Sequence, residues 1–412
     1  MSARDRLEGA FRAAVASLEP APMTEAAVRT ALPAGTVRVV AMGKAAAGMA
    51  RGAARALGPR LLGGLVVVPE AAEVPAPLQM LVAAHPVPTQ QSERAGLALL
   101  DEAARGGADH LLALISGGAS ALAVAPAAGL GFDAKVQAVH AVMDAGASIA
   151  DINTVRKHLS AIKGGRLAEA AAMPVTALIS SDVVGDDPAV IGSGLTVPDP
   201  STFADALAVI ARHGAPVPPG VIAHLEAGAR GERSETPKRA RPGDRASVIA
   251  GTRALAAAAA EALGADARIV ATDLTADVDA VADRVQAWLA EAPPGQILIA
   301  AGEPTVRLPA LPGCGGRAHQ LALLIAWDIA GTQTTVLVAG SDGIDGSTQA
   351  AGAIVDGGTI ERLRIAGIDA DEALARADAG TALAAIGATV VTGRTGVNHA
   401  DLVLAVVQRG GV

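Results

Sequence analysis

The stretch "VRVVAMGKAAAGMA" (residues 37–50) begins as an apolar run and continues, after a Gly-Lys pair, with small helix-forming residues. The run does not alternate between polar and apolar residues, which is typical of a strand that is buried on both faces. A strand that leads directly into a helix is the repeating unit of α/β proteins. The stretch therefore predicts a parallel strand over 37–42 and a helix over 44–57.

The same pattern recurs along the chain and predicts an α/β fold. Continuous apolar runs predict strands at 37–42, 65–69, 81–85, 110–116, 175–180, 247–251, 267–272, 296–302, 334–341 and 388–393. Helices are predicted at 44–57, 91–105, 132–146, 154–171, 253–263, 277–291 and 317–330. Repeated alternation of this kind favours parallel sheets flanked by helices.

The length of 412 residues predicts two domains rather than one small core. Residues 214–246 are rich in Pro, Gly and charge, which indicates a domain junction or a long exposed excursion. We place one α/β domain at 1–240 and a second at 241–412.

Composition narrows the class of partner. Aromatic residues make up 1% of the chain and the net charge is −8, which argues against nucleic-acid binding. The single cysteine, Cys314, excludes an internal disulfide and fits a reducing compartment. No signal peptide or membrane span is recognisable. We expect a cytoplasmic protein that acts on small molecules without membrane or nucleic-acid partners, as a monomer or homodimer.

Candidate ligand-binding residues follow the predicted strands, because ligands of open α/β sheets lie beyond the carboxyl ends of the strands. Lys44 stands at a helix start, where a cation is unfavourable unless an anion is bound; the alternative is a surface lysine. His85 ends another run and is either catalytic or structural. The small residues after 110–115 predict an anion cradle, with a tight turn as the alternative. The cradle residues are Ser116, Gly117, Gly118 and Ser120.

A basic segment follows at residues 152–168. Arg156 and Lys163 are seven residues apart, which would place them on one face of the predicted helix, with Asn153 near its start. Two cations on one face suit a phosphate-bearing ligand, although a solvated basic face is the alternative. We therefore include all three residues among the candidates for substrate or phosphate binding.

Carboxylates stand at two further strand ends. Asp182 follows 175–180 after one further serine, and Mg²⁺ commonly takes such oxygen ligands in irregular loops. Asp186, Asp187 and Asp199 are expected to shape their loops as turn or cap residues. Asp342 follows 334–341 and is a second candidate metal ligand, with an Asp-Gly turn as the alternative.

The second half of the chain, like the first, has charged residues and glycines at its predicted strand ends and helix starts. Glu303 ends a strand, Gly316 and Arg317 open a helix, and Asn398 lies in a Gly-rich loop. Cations, glycine loops and carboxylates at strand ends are typical of metal-assisted phosphoryl transfer. A hydrolase is not favoured, because no Gly-x-Ser-x-Gly elbow occurs. The chain also lacks the Gly-x-Gly-x-x-Gly fingerprint of dinucleotide-binding enzymes.

The order of these segments resembles the glycerate 2-kinase family, whose members carry a C-terminal MOFRL domain. The resemblance spans roughly residues 37–402. It is carried by "VVAMGKAAAGMA", "HPVP", "LISGGASAL", "INTVRKHLSAIKGGRLA", "SDVVGDDPAVIGSGLTVPDPST", "GEPTV", "GGRAHQLAL", "GSDGIDGSTQAAGAIVD" and "TGRTGVN".

The resemblance implies ATP-dependent phosphorylation of D-glycerate to 2-phosphoglycerate, with Mg²⁺ as cofactor. It implies a Rossmann-like α/β/α sandwich, a smaller α/β domain with the MOFRL region at about 295–405, and an active site in the cleft between the two domains. By motif, Lys44 and Arg317 match the catalytic cations. Asp182 is the third catalytic candidate, as a metal ligand or as acceptor of the substrate hydroxyl proton.

The chain departs from the family pattern after Arg317. Members usually read Gly-Arg-Asn-Gln-Glu, whereas this chain has Ala318, His319 and Gln320. Another small sugar acid therefore remains an alternative substrate. A hydroxypyruvate reductase is a further alternative, because proteins of this family have carried that name. A sugar-acid-binding protein without catalysis is the third.

Overall fold

The structure is a computed structural model that describes residues 2–407. The chain forms two compact units. The N-terminal unit comprises Pro20–Ser181 and Asp187–Ile249, and the C-terminal unit comprises the residues up to Glu19, Asp182–Asp186 and the residues from Ala250 onward. This division differs from the predicted ranges 1–240 and 241–412, because the first helix, α1 (Ala3–Ser17), packs within the C-terminal unit.

The N-terminal unit contains six strands and nine α-helices among its described residues. The strands are β1 Val37–Met42, β2 Leu61–Val68, β3 Leu78–Val82, β4 His110–Ser116, β5 Val175–Ser180 and β6 Arg245–Ala250. The helices are α2 Pro20–Ala31, α3 Ala46–Leu57, α4 Gln90–Ala104, α5 Ala119–Leu122, α6 Phe132–Asp144, α7 Ile149–His158, α8 Arg166–Ala170, α9 Phe203–His213 and α10 Pro219–Ala229.

The sheet of the N-terminal unit has the strand order β3-β2-β1-β4-β5-β6. The pairings of β1 with β2 and β4, of β2 with β3, and of β4 with β5 are all parallel. This is the Rossmann order, in which the strand sequence reverses direction across the sheet at β1 and β4. The strands carry almost only aliphatic residues because helices cover both faces.

The C-terminal unit adds α11 to α16 and a second sheet. Its helices are α11 Thr252–Leu263, α12 Val278–Glu291, α13 Arg317–Asp328, α14 Thr359–Ile365, α15 Ala370–Ala375 and α16 Ala379–Ala385. Its strands are β7 Ala267–Leu274, β8 Ile297–Gly302, β9 Thr335–Gly340, β10 Gly352–Asp356, β11 Thr389–Val390 and β12 Asp401–Val406.

The second sheet has the order β11-β10-β9-β12-β8-β7 and is mixed. Strands β7 and β8 are parallel, but β12 runs antiparallel to both β8 and β9, and β10 runs antiparallel to β9. The α/β class with two domains is confirmed, whereas the expectation of a parallel sheet is wrong for this unit. A strand that is covered on both faces is a continuous apolar run whether it runs parallel or antiparallel to its neighbours. The sequence pattern therefore did not reveal that β10 and β12 are antiparallel.

Two segments depart from the prediction. The helix predicted over 154–171 is interrupted: α7 ends at His158 and α8 begins at Arg166. Gly164 and Gly165 lie between them with φ of 62° and 85°, which a continuous right-handed helix excludes. The stretch 214–246 is not one exposed excursion either, because α10 lies within it and packs against α9.

No helix within residues 2–407 is both long enough and apolar enough to cross a membrane.

Candidate active site

The loops that follow β1 and β4 lie side by side, because neighbouring parallel strands end at the same edge of the sheet. The backbone N–H of Lys44 donates to the carbonyl of Gly117 at 2.8 Å. The N–H of Ala45 donates to the Ser116 hydroxyl at 3.0 Å. The strand order reverses here, and ligands of open α/β sheets bind at such a point. The predicted cation and the predicted glycine loop therefore meet where a binding site is expected.

Two glycines allow this close approach. A Cβ on Gly43 would stand 2.1 Å from the Ser116 Oγ, so a larger residue would push the two loops apart. A Cβ on Gly118 would lie 3.0 Å from the His85 ring and 3.4 Å from the Lys44 side chain. Both glycines also have positive φ, of 124° and 84°, which favours glycine. His85 is thus a neighbour of Lys44, a proximity that the sequence did not indicate.

A cavity of about 350 Å³ lies at this site. Its walls include His85, Gly118 and Ser120. Aliphatic side chains form much of the remainder, among them Val87, Val124, Val136 and Val139. Three cationic residues also line it, namely Lys135, Arg156 and Lys163. We call Lys135, Arg156 and Lys163 the cation cluster.

The two lysines of the cation cluster are buried without an acidic partner. Lys135 Nζ donates to the carbonyl of Ala125 at 3.2 Å, and Lys163 Nζ donates to the carbonyl of Gly192 at 3.3 Å. Burial lowers the pKa of both lysines well below the ordinary value, and the neighbouring positive charges act in the same direction. Within residues 2–407, no carboxylate forms an ion pair with any member of the cluster. Buried cations in this state are well suited to a bound anion.

Arg156 is held in place by an amide and a hydroxyl. Its Nη1 donates to Asn153 Oδ1 at 2.9 Å and lies 3.5 Å from Ser193 Oγ. Ser193 in turn donates to Asn153 Oδ1 at 3.0 Å and contacts the Ser120 hydroxyl at 2.8 Å. Burial lowers the pKa of Arg156. Asn153, Ser120 and Ser193 therefore position the guanidinium group.

Lys157, next to Arg156 in α7, provides a contrast. Its Nζ lies 3.3 Å from Asp199 Oδ1, and both side chains are buried. Asp199 also accepts hydrogen bonds from Ser201 Oγ at 2.7 Å and Thr236 Oγ1 at 3.0 Å. The expectation that Asp199 shapes its loop is confirmed, and Lys157 is not available to a ligand.

The C-terminal unit places Arg317 between two carboxylates. Its Nε and Nη2 donate to Asp401 at 2.6 and 3.2 Å, and its Nη1 donates to Glu303 at 2.8 Å. The antiparallel register explains the arrangement, because Asp401 at the start of β12 pairs with Gly302 at the end of β8. Glu303, a predicted site residue, lies beside Arg317, whereas Asp401 was not predicted.

The charges of this group of three residues depend on one another. Burial raises the pKa of Asp401 to about 6, although Arg317 lowers it in part. Burial also opposes the charge of Arg317, but the hydrogen bonds and charges of Asp401 and Glu303 outweigh this effect and raise the pKa of Arg317. Arg317 is therefore a permanently charged group in a fixed position.

The amino end of α13 already holds a carboxylate. Asp345 accepts the N–H groups of Gly316 at 3.0 Å, Ala318 at 3.1 Å and His319 at 2.8 Å. It also accepts from the His319 ring, whose Nδ1 is 2.5 Å away. Gly316, predicted to contact a ligand, thus uses its N–H within the protein. The Asp345 carboxylate stabilises the positive end of the helix.

The aspartates after β5 differ in role. Asp186 accepts the N–H groups of Thr252 and Arg253 at 3.1 and 3.0 Å, and so caps α11. Asp187 accepts the N–H of Ala189 at 2.8 Å. The prediction that these two residues shape the loop is confirmed. Asp182 is partly exposed and groups with the C-terminal unit, although the preceding strand belongs to the N-terminal unit.

The carboxylates of the described residues do not form a ready-made metal cage. Among residues 2–407, no three His, Cys, Asp or Glu side chains are grouped to hold a metal ion. Asp342 is exposed and accepts the N–H of Ile344 at 3.1 Å. Mg²⁺ usually takes only one or two carboxylates, together with waters and substrate oxygens. Asp182 and Asp342 stay the predicted ligands for that limited role. Asn398, also exposed, lies in the loop before β12.

Sequence reasoning did not find Lys135, Ser193 or Asp401 as site residues. Lys135 lies in α6, and a lysine inside a helix gives no sign that it is buried. Ser193 follows no strand. Asp401 precedes "LVLAV", and recognising that run as a strand would have placed the carboxylate at a strand end.

Comparisons with known proteins extend these observations. The family model described as "Domain of unknown function (DUF4147)" matches residues 6–226, and that of the MOFRL family matches residues 296–401. A Pyrococcus horikoshii protein named glycerate 2-kinase is 35% identical, over 90% of this chain and 88% of its own length. An Agrobacterium vitis protein, whose name proposes a hydroxypyruvate reductase, is 41% identical over 98% of this chain and 94% of its own.

A solved structure is also similar to this chain over nearly its whole length. The crystal structure of a glycerate kinase from Thermotoga maritima matches with a TM-score of 0.90 at 31% identity, over 98% of this chain and 99% of that one. The matches thus cover both units rather than one isolated domain. The chain belongs to the glycerate 2-kinase family, with a DUF4147 region followed by a MOFRL region.

Proposed function

We propose that the protein is a glycerate 2-kinase, which transfers the γ-phosphoryl group of ATP to the 2-hydroxyl of D-glycerate. The cation cluster beside the Lys44 loop is the observation that carries this proposal within the family. D-glycerate and ATP are both anions, and the phosphoryl group in transfer carries negative charge spread over its outer oxygens. Three buried cations without acidic partners suit such ligands.

Phosphoryl transfer requires the protein mainly to position the reactants and to stabilise charge. We assign the cation cluster to the substrate anion and Lys44 to the phosphoryl group in transfer. Arg317 is the second cation for phosphoryl charge, and its ion pairs with Asp401 and Glu303 fix its orientation. The substrate oxygen forms a bond to the γ-phosphorus while the bond between that phosphorus and the bridging oxygen of ADP breaks.

The proton of the substrate hydroxyl needs an acceptor. His85 lines the cavity beside Lys44, and Asp182 is the acceptor suggested by the sequence. We propose Mg²⁺ as cofactor, with Asp182 and Asp342 as its protein ligands; a bound Mg²⁺ would neutralise phosphate charge. A pH–rate profile on His85→Gln and Asp182→Asn separates the two acceptors, because the fall in rate at acid pH, where the base is protonated, disappears only when the true base is removed.

The first experiment measures ADP formation from ATP and Mg²⁺, with and without D-glycerate. Wild type should form ADP only with D-glycerate, and ³¹P NMR should identify 2-phosphoglycerate. Lys44→Ala should lower kcat roughly 10²- to 10³-fold, as expected when one charge-stabilising group is lost. Lys238→Ala, an exposed lysine of the same unit, is the matched control. Absence of glycerate-dependent ADP would overturn the proposal, and a screen of small 2-hydroxy acids would then test a different acceptor.

A reductase is the second candidate, because the name of the Agrobacterium vitis relative proposes that activity. The glycine loop after β1 ends in Gly43-Lys44 and lacks the dinucleotide fingerprint. NADH or NADPH oxidation that depends on hydroxypyruvate would support the reductase. We further propose a cytoplasmic location, on the basis of the single cysteine, and a monomer or homodimer that acts on small molecules without nucleic-acid or membrane partners.

A further inference from the structure

The cavity beside the Lys44 loop contains one hydroxyl group whose hydrogen-bonding state can be worked out. Among the described residues that line this cavity, Ser120 alone carries a hydroxyl, and the residue is partly exposed. Its Oγ lies 2.8 Å from Ser193 Oγ, a contact in which either oxygen could be the donor. A hydroxyl has a single proton, so the direction of this hydrogen bond decides what Ser120 can offer to a ligand.

Arg156 fixes that direction. A guanidinium group only donates, so the Asn153 atom that lies 2.9 Å from Arg156 Nη1 is the oxygen, Oδ1. Ser193 Oγ lies 3.0 Å from the same Oδ1, and an amide oxygen only accepts, so the proton of Ser193 points to Asn153. Ser120 therefore supplies the proton of its 2.8 Å contact with Ser193, and only its lone pairs are left for a ligand.

The backbone at Ser193 indicates a use for its hydroxyl group. Ser193 is fully buried and has a φ of 63°, in the left-handed region that favours glycine, and the residues on both sides are glycines. A glycine at this position would adopt the same backbone without strain. Other residues in this region are concentrated at functional sites. What the serine adds is the hydroxyl that holds Ser120 as an acceptor.

An oxygen that accepts without donating is selective for its ligand. It binds an O–H or N–H group and repels a carboxylate or phosphate oxygen, which also presents only lone pairs. Arg156 lines the same cavity, only donates, and has its Nη1 3.5 Å from Ser193 Oγ. Ser120 and Arg156 thus flank Ser193, and together they suit a small molecule with a carboxylate for Arg156 and a hydroxyl for Ser120.

We propose that Ser120 accepts a hydrogen bond from the 3-hydroxyl of D-glycerate and so makes the protein specific for acids with a second hydroxyl group. The proposal rests on D-glycerate being the substrate, as put forward above. The 2-hydroxyl loses its proton when it is phosphorylated and requires a base, whereas the 3-hydroxyl keeps its proton and requires only a neutral acceptor. Ser193 is a positioning residue, because it acts through Ser120.

The affinities of two acids test the role of Ser120. D-lactate is D-glycerate without the 3-hydroxyl, and isothermal titration calorimetry on the full-length protein gives the Kd of each. Wild type should bind D-glycerate roughly tenfold or more tightly, because D-lactate leaves the acceptor unpaired. Ser120→Ala should remove most of that preference. Ser234→Ala changes an exposed serine of the same unit away from the cavity, and this matched control should keep the preference. Equal affinities in wild type, or an unchanged preference in Ser120→Ala, would overturn the proposal.

Ser193→Gly separates a positioning role from a structural one. Glycine suits the left-handed backbone, so urea unfolding should show little change in stability. Ser120 can then turn its proton toward the ligand, and the preference for D-glycerate over D-lactate should fall roughly threefold or more. Lower stability with the preference intact would show that Ser193 has a structural role only.

These outcomes are distinct from those of the kinase assay. If no ADP forms with D-glycerate but Ser120→Ala still removes the binding preference, the kinase proposal fails and the hydroxyl site stands. If D-glycerate-dependent ADP forms while Ser120→Ala keeps the preference, the enzyme is a kinase and its contact with the 3-hydroxyl is elsewhere.

Discussion

In the N-terminal unit, Lys135 and Lys163 lie buried with carbonyl oxygens as their hydrogen-bond partners, whereas in the C-terminal unit Arg317 is bound by Asp401 and Glu303. Burial lowers the pKa of the two lysines, and the carboxylates raise the pKa of the arginine. The difference indicates two uses of positive charge. A cation without an acidic partner is available to an anionic ligand, and a cation held by two carboxylates is fixed in place.

The same contrast occurs within the N-terminal unit. Lys157 and Lys163 are both buried and are six residues apart, yet only Lys157 has a carboxylate partner, Asp199. The two side chains are chemically identical, so what differs between them is the presence of a carboxylate partner. The predictions that follow test whether that difference separates a structural lysine from a ligand-binding one, from the largest expected effect to the smallest.

Removal of the Arg317 side chain should have the largest effect. Arg317→Met leaves Asp401 buried without its cation, which should lower the free energy of unfolding by about 3–5 kcal/mol. It should also lower kcat roughly 10²- to 10³-fold, because a charge-stabilising group is lost. Urea unfolding and steady-state kinetics measure the two effects. Arg307→Met, an arginine whose side chain is 95% exposed, is the control and should change neither.

The lysine pair gives the sharpest comparison. Lys157→Met should lower the free energy of unfolding by about 3–5 kcal/mol, since Asp199 stays buried and unpaired. Lys163→Met should leave stability unchanged or higher, because burial disfavours the charge of that lysine. It should raise the KM for the anionic substrate by roughly 10- to 100-fold, as a charged hydrogen bond to that substrate is lost. If Lys163→Met proved as destabilising as Lys157→Met, the contrast between the lysines would be wrong.

The pH dependence of stability tests the buried carboxylate of the C-terminal unit. The pKa of Asp401 is about 6 in the folded protein against an ordinary 3.8, so the native state binds the proton more tightly than the unfolded state. Its contribution to stability is therefore full below pH 4 and is lost as the pH rises through 6. The stability of wild type relative to Asp401→Asn should fall by about 3 kcal/mol from pH 4 to pH 7. Parallel stability curves for the two proteins would contradict the shifted pKa.

The smallest effect should come from the residue that positions Arg156. Asn153→Ala removes the acceptor of its 2.9 Å hydrogen bond. The KM for the anionic substrate should rise roughly 3- to 10-fold with kcat little changed, which corresponds to one hydrogen bond. The control is Thr154→Ala, on the same helix, since that hydroxyl bonds the helix's own carbonyl at Ala150. Equal kinetics for the two variants would mean that Asn153 does not position the guanidinium group.

The sequence predicted the central strands of the N-terminal unit with accuracy. Strands β1, β4 and β5 have the predicted bounds, 37–42, 110–116 and 175–180. Each is a largely apolar run without polar alternation, and β4 and β5 end at a serine while Gly43 follows β1, a pattern that is typical of a strand covered on both faces. Because the loops after β1 and β4 follow directly from these bounds, the meeting of Lys44 with the glycine loop was also predictable.

The prediction for the basic segment, residues 152–168, grouped the right residues, but for the wrong reason. Arg156 and Lys163 line one cavity, as their spacing suggested, but they do not share a helix face, because α7 ends at His158. The chain turns back through Gly164 and Gly165, and the fold rather than the helical period brings Lys163 to the cavity. Local periodicity carries no information on such a turn.

The hydrophobic pattern along the chain, which is a property of the local sequence, determined the α/β class, the strands of the first sheet and the loops at their ends. Tertiary structure alone decided which charges are compensated. Lys135 is charged in the sequence like any helical lysine, and Asp401 is one aspartate among many, until packing buries one without a partner and register sets the other against Arg317. The energy of a charge depends on its solvent exposure and on its neighbours in space, and neither is a property of the local sequence.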